Sequence, residues 1–135
     1  MEFRIGQLPD DRSLRLLYED AGWTVYTRDM VKLRQALAQS MYLLCVWDGQ
    51  ELIGLLRAVG DGVAILYIQD ILVRSSYRRR GVGRAMVQRA LEAFPDVRQR
   101  VLMTDETPQM HGFYEGLGFF PSDKVGLTAF YYMGE

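Results

Sequence analysis

Residues 63–73 read Val-Ala-Ile-Leu-Tyr-Ile-Gln-Asp-Ile-Leu-Val, and residues 74–84 read Arg-Ser-Ser-Tyr-Arg-Arg-Arg-Gly-Val-Gly-Arg. The first stretch is apolar on both phases of a strand alternation, broken only at Gln69 and Asp70. That pattern predicts a central strand covered on both faces. A chain of 135 residues covers both faces of a strand by packing helices on each side of a sheet. The second stretch ends the strand abruptly. Its glycines let backbone approach a ligand without Cβ atoms in the way, and a helix pattern follows at once.

Elsewhere the periodicity alternates between strand and helix. Residues 3–8 read as a short strand. Pro9-Asp10-Asp11 opens a helix with the stripe Leu14, Leu17, Tyr18, which stops at Gly22. Residues 23–27 read as an aromatic linker. Asp29 caps a second helix with the stripe Met30, Leu33, Ala36, Leu37. Residues 41–47 and 51–59 form a hairpin about Asp48-Gly49, with Gly54 marking a bulge, and Asp61-Gly62 turns the chain into the strand 63–73. A helix over 81–94 is stopped by Pro95. A strand follows over 98–104, then a helix over 108–117 ending at Gly118. Residues 119–120 and 127–133 are expected to supply the last strands. The order is β-α-α-β-β-β-α-β-α-β-β, an α/β architecture with a mixed sheet, in one domain spanning 1–135.

Composition narrows the function. Sixteen basic and 17 acidic residues leave a net charge of −1, whereas a protein that coats nucleic acid is far more basic. No apolar run approaches the roughly 20 residues of a membrane span, and the first residues lack the apolar core of a secretion signal. The single Cys45 fits a reducing, cytoplasmic setting. With one Cys and one His, a Cys/His zinc site is ruled out and no metal is expected.

The basic residues are unevenly placed. Fourteen of the 16 are arginines, and eight lie between Arg74 and Arg100. A strand, an Arg-x-x-Gly-x-Gly loop and a helix make an anion site. The helix dipole and first-turn N–H groups point back at the loop, and the arginines add charge-assisted bonds. The Walker and dinucleotide glycine patterns both fail here, because Arg84-Ala85 replaces Lys-Ser/Thr and Met86 replaces the third glycine. Asp70 is a carboxylate inside an apolar strand, a costly place for an unpaired charge, so it is a candidate for chemistry. His111 lies three residues before Tyr114 and can share its helix face.

Residues 71–86, from Ile71 through Arg78-Arg79-Arg80-Gly81-Val82-Gly83-Arg84 to Met86, resemble motif A of the GNAT superfamily of acyl-CoA N-acyltransferases. Phe113-Tyr114-Glu115-Gly116-Leu117-Gly118-Phe119 is similar to that family's Tyr-x-x-Leu-Gly-Phe motif. The two stand in the family's order, and the resemblance covers essentially the whole chain. It implies a GNAT-like sheet whose central strands splay apart, with acetyl-CoA as co-substrate. The amides of 78–84 (Arg78, Arg79, Arg80, Gly81, Val82, Gly83, Arg84) would hold the pyrophosphate. Ile71, Leu72 and Val73 would pair with the pantetheine arm as an added strand does. Tyr114 would protonate the leaving thiolate. An amine of a small molecule or peptide would attack the thioester directly, and a carboxylate would take its proton.

The sequence departs from the family at two places. Many members carry Asn seven residues before the motif tyrosine, where this chain has Thr107, which is counted with the cofactor-binding residues. Some protein-acetylating members carry Glu where this chain has Tyr67. The resemblance therefore transfers no general base, and Asp70, Glu19 and Asp105 are the candidates. The acceptor is expected near Glu19, Trp23, Tyr26 and Tyr131, since acidic and aromatic groups suit a cationic amine. The aromatic run 130–132 predicts a homodimer through an exposed edge. The competing reading is a non-catalytic CoA- or RNA-binding module built on the Arg74–Arg100 cluster.

Overall fold

The computed structural model describes residues 1–134. The chain divides into two compact units, Met1–Met103 and Thr104–Glu135. The first holds β1 (Glu2–Ile5), α1 (Asp11–Asp20), the single turn α2 (Thr24–Thr27), α3 (Met30–Ala38), β2 (Tyr42–Asp48), β3 (Glu51–Gly60), β4 (Ile65–Val73), α4 (Val82–Ala93) and β5 (Gln99–Leu102). The second holds α5 (Pro108–Glu115) and a 3-10 turn at Ser122–Val125.

The sheet runs β1-β2-β3-β4-β5 in spatial order. Its first four strands are antiparallel neighbours, and β5 lies parallel to β4. A parallel neighbour needs a long crossover, and α4 supplies it. Alternate residues of the central strands face opposite helix layers. Leu43 and Cys45 of β2, Leu55 of β3 and Leu72 of β4 pack with Leu14, Leu17, Tyr18, Leu33 and Leu37 from α1 and α3. On the opposite face α4 buries Met86, Val87 and Ala90. There Gly54 leaves the space that Met86 fills: a Cβ on Gly54 would stand 3.3 Å from the Met86 sulfur and from Val46.

Two bulges break the ladders. Val46 pairs with Gly54 but Trp47 with Leu52, so Ile53 is the extra residue beside Gly54. Arg57 pairs with Asp70 but Ala58 with Ile68, so Gln69 is extra on β4. Paired residues share a face and successive residues alternate, so Ile68 follows Ala58 onto the α4 face while Asp70 follows Arg57 onto the α1 face. One inserted residue thus carries the strand's only carboxylate to the opposite side of the sheet.

The architecture agrees with the mixed α/β expectation, and several boundaries move for local reasons. Asp61 Oδ1 accepts from the N–H groups of Val63, Ala64 and Ile65 at 2.8, 2.8 and 3.0 Å. Those bonds hold residues 63 and 64 in the turn, so β4 starts at Ile65. The aromatic linker contains the helical turn α2. Residues 119–120 and 127–133, expected as strands, are not strands. Aromatic and β-branched residues favour a half-buried pleated surface, and without a partner strand that preference makes no ladder.

A valine at position 54 overpacks the seam between α4 and the sheet. We expect Gly54→Val to cost about 1–3 kcal/mol, measured as a lower urea midpoint at unchanged slope.

Candidate functional site

The parallel pairing of β4 with β5 covers only Ile65–Ile68 against Gln99–Leu102. From Gln69 to Val73 the β4 edge facing β5 is not paired with a strand among the described residues. The strands part at the bulge, where added twist is expected. The opened edge is where Ile71, Leu72 and Val73 were placed from sequence.

A buried polar network sits at the same point. Asp70 is 1% exposed and Arg57 9%. Arg57 Nε donates to Asp70 Oδ2 at 2.6 Å, and the Tyr18 hydroxyl donates to the same oxygen at 3.0 Å. The Tyr26 hydroxyl donates to Oδ1 at 3.2 Å and accepts from Gln69 Nε2 at 3.4 Å. Burial alone would lower the Arg57 guanidinium, but its hydrogen bond and charge contact with Asp70 outweigh that and hold it above its ordinary range. Burial, reinforced by the Asp70 charge, pushes the Tyr18 phenol well above its usual range. Asp70 is therefore an ion-paired carboxylate reached from outside through Tyr26. Tyr26 is half-buried, and its ring packs against Tyr18 at 5.3 Å and Trp23 at 6.1 Å. Glu19 is exposed on the last turn of α1.

Beyond Val73 the chain forms a 3-10 turn at Ser75–Tyr77 and then the glycine loop. Ser75 is fastened to the end of α1: its N–H and hydroxyl each donate to Asp20 at 2.8 Å. Desolvation opposes the charge on Asp20, but these two bonds win and hold its carboxyl below the usual range. Arg79 adopts φ 63° and Gly81 φ 81°. Left-handed residues alternating with extended or helical ones turn successive N–H groups toward one concavity, which suits an anion. Gly81 is the N-cap of α4 and has no side chain to fold back over the helix start. The end of β4 thus leads through extended Arg78 and left-handed Arg79 and Gly81 into the first turn of α4, a candidate anion cradle.

The Arg74–Arg100 cluster is not one open patch. Arg74 pairs with Glu51 at 3.3 Å, and Arg78 Nε donates to the Val73 carbonyl at 3.4 Å. Arg80 lies over the Tyr77 ring and Arg89 over the Phe3 ring. At least half of the cluster is committed within the fold, which weakens the nucleic-acid reading.

In the second unit Thr107 caps α5, its Oγ1 accepting from Met110 N–H at 3.1 Å. His111 Nε2 contacts Glu106 at 2.6 Å. Tyr114 is half-buried, with its ring edge-on to Phe113 at 4.9 Å and Phe119 at 5.9 Å. Burial pushes its phenol up to about 12, against a smaller opposing hydrogen bond from Thr104. Tyr131 is 72% exposed.

Sequence reasoning singled out Asp70 but missed Arg57, Tyr18 and Asp20. Arg57 carried a signal: it is the one charge between Glu51 and Gly60, as Asp70 is in its strand. Two lone charges on adjacent apolar strands imply a pair.

Comparison with known proteins agrees with this geometry. Residues 11–119 match the family model described as the acetyltransferase (GNAT) family, a span that runs through both units. A GNAT-family acetyltransferase structure from Streptococcus pneumoniae superposes with a TM-score of 0.87 at 30% identity, covering 98% of this chain and 97% of that one. The chloroplastic GCN5-related N-acetyltransferase 1 of Arabidopsis thaliana is 32% identical over 102 residues, 74% of this chain and 51% of that protein. An aminoglycoside N-acetyltransferase, AAC(6')-Iy in complex with CoA, shares the fold at 15% identity with a TM-score of 0.68, over 99% of each chain. The chain belongs to the GNAT acetyltransferase family. It spans about half to under two-thirds of the length of the curated relatives it matches.

Removing one partner of a buried ion pair strands the other. Arg57→Met alone should cost about 3–5 kcal/mol, while Arg57→Met combined with Asp70→Leu should recover most of that loss. Chemical denaturation of the two single variants and the double variant measures the coupling.

Proposed function

We propose that this chain is one acetyltransferase domain over 1–135, which moves an acetyl group from acetyl-CoA to a primary amine of a small molecule or peptide by direct attack on the thioester. The observation that carries this reading is the β4 edge left unpaired from Gln69 to Val73, running straight into the cradle at the start of α4. An extended pantetheine arm suits the open edge, since backbone groups there can pair with its amides as with an added strand. A pyrophosphate suits the cradle. The Val73 N–H is the candidate donor to the developing oxyanion.

The acceptor amine is assigned to the Tyr26–Trp23 surface beside the strand opening, with Glu19 drawing in its positive charge. Its proton passes to the Tyr26 hydroxyl oxygen as Tyr26 hands its own proton along its hydrogen bond to Asp70. Asp70, held by Arg57 and Tyr18, is the terminal acceptor of this relay and is reached through Tyr26. Tyr114 is the proposed acid. Its phenol, pushed up to about 12 by burial, lies above the range of a free thiol and stays protonated as the thiolate leaves. Its contribution is a hydrogen bond that strengthens as the C–S bond breaks.

A free, buried Cys45 fits the cytoplasmic setting proposed here. The exposed run Phe130, Tyr131, Tyr132, Met133, at 95, 72, 84 and 79%, is a contiguous apolar surface of the kind that marks an interface. We assign it to a homodimer. That assignment takes Tyr131 away from the acceptor pocket.

Three results test the proposal. Gly83→Glu places an anion in the cradle without touching the left-handed Gly81, so acetyl-CoA should no longer raise the melting temperature while circular dichroism stays unchanged. Retained acetyl-CoA stabilisation in that variant would refute the cradle. Tyr114→Phe should lower kcat about 10²-fold with little change in acetyl-CoA affinity, and an unchanged kcat would leave Tyr114 a packing residue. Light scattering should give twice 15.6 kDa, reduced by Tyr132→Arg; a monomer mass would return Tyr131 to the pocket.

A further inference from the structure

One contact near the cradle is used neither by the core nor by the chemistry above. Asp48, the last residue of β2, accepts the Tyr77 hydroxyl through Oδ2 at 2.6 Å. The guanidinium carbon of Arg80 lies 4.9 Å from the centroid of the same Tyr77 ring. Asp48 and Arg80 are exposed and Tyr77 is half-buried, so the three contribute little hydrophobic burial. Their arrangement is directional. A carboxylate bonded to a phenol drives electron density into the ring, and a richer ring face holds a cation better. The hydrogen bond to Asp48 also raises the Tyr77 phenol above its ordinary range, which keeps it a donor.

Arg80 immediately precedes Gly81, the left-handed N-cap of α4. Arg78, Arg79 and Arg80 are consecutive cations that repel one another, and a free arginine loses much rotamer freedom when it is immobilised. Stacking on an anchored ring meets part of that loss before any ligand arrives.

We propose that Asp48 is a positioning residue for the anion cradle: through Tyr77 it holds the Arg80 guanidinium at the mouth of the loop, oriented to take a phosphate oxygen of the acyl-CoA co-substrate. This rests on the acetyl-CoA reading above. The β2–β3 hairpin, 29 residues before Tyr77 in the chain, thereby tunes cofactor affinity without touching the cofactor.

The test is isothermal titration of acetyl-CoA into the full chain and its variants, with Gly83→Glu as a control. Arg80→Ala should weaken binding about tenfold. Asp48→Asn and Tyr77→Phe should each weaken it about twofold to fivefold, and Asp48→Glu should restore most of the affinity. KM for acetyl-CoA should rise by the same factors. In an Arg80→Ala background, Asp48→Asn should have no further effect, a non-additivity that a merely structural hairpin contact would not produce. The proposal is overturned if Arg80→Ala leaves affinity unchanged, or if the Asp48→Asn loss persists undiminished without Arg80. If the unmodified chain does not bind acetyl-CoA, or Gly83→Glu binds it normally, the cofactor reading itself fails; binding that survives in every form except Gly83→Glu overturns the role of Asp48 alone.

Discussion

The ion pair between Arg57 and Asp70 is the constraint around which the first unit is arranged. A buried charge without a partner costs several kcal/mol, so the two residues must meet on one face of the sheet. They do so only because Gln69 is inserted into β4. Without that residue the ladder register would turn Asp70 toward α4, away from Tyr18 and Tyr26. The tyrosines complete the carboxylate's hydrogen bonds and tie α1 and α2 to the centre of β4. Position 69 is also where β5 stops pairing. Satisfying one buried carboxylate and opening the strands are thus two consequences of one bulge.

The end of β4 meets a second physical demand. Three consecutive arginines in a tight loop repel one another, and the loop must keep its shape without an anion to neutralise them. Two acidic anchors from distant elements hold it: Asp20 at the end of α1 takes Ser75, and Asp48 at the β2–β3 hairpin takes Tyr77. A loop held in shape before its ligand arrives loses little freedom when it binds.

The second unit shows how local packing keeps a phenol protonated. Thr107 supplies the cap that starts α5, and the helix brings Phe113 and Tyr114 together with Phe119 just beyond its end. The aromatic surroundings desolvate the phenol and keep it protonated across the working pH range. A phenol of that kind is a durable hydrogen-bond donor and a reluctant acid.

Much of this was legible in the sequence because it depends on neighbours in the chain. The helix starts at Asp10, Asp29 and Pro108, the Asp48-Gly49 hairpin, the apolar run of β4 and the glycine loop all follow from spacing and backbone preference. The bulge near Gly54 was legible too, displaced by one residue. What the sequence could not provide was pairing across distance. Two lone charges on adjacent apolar strands signal a pair, but nothing local to Asp70 fixes the register that sets Arg57 opposite it, and nothing local to Tyr77 names Asp48. Nor does an aromatic run such as Phe130-Tyr131-Tyr132 say whether a partner strand exists, so it was read as a strand and is not one. Strand propensity, capping and turn chemistry are properties of a few consecutive residues. Register, the facing of a charge and the parting of two strands are properties of elements that meet only once the chain has folded.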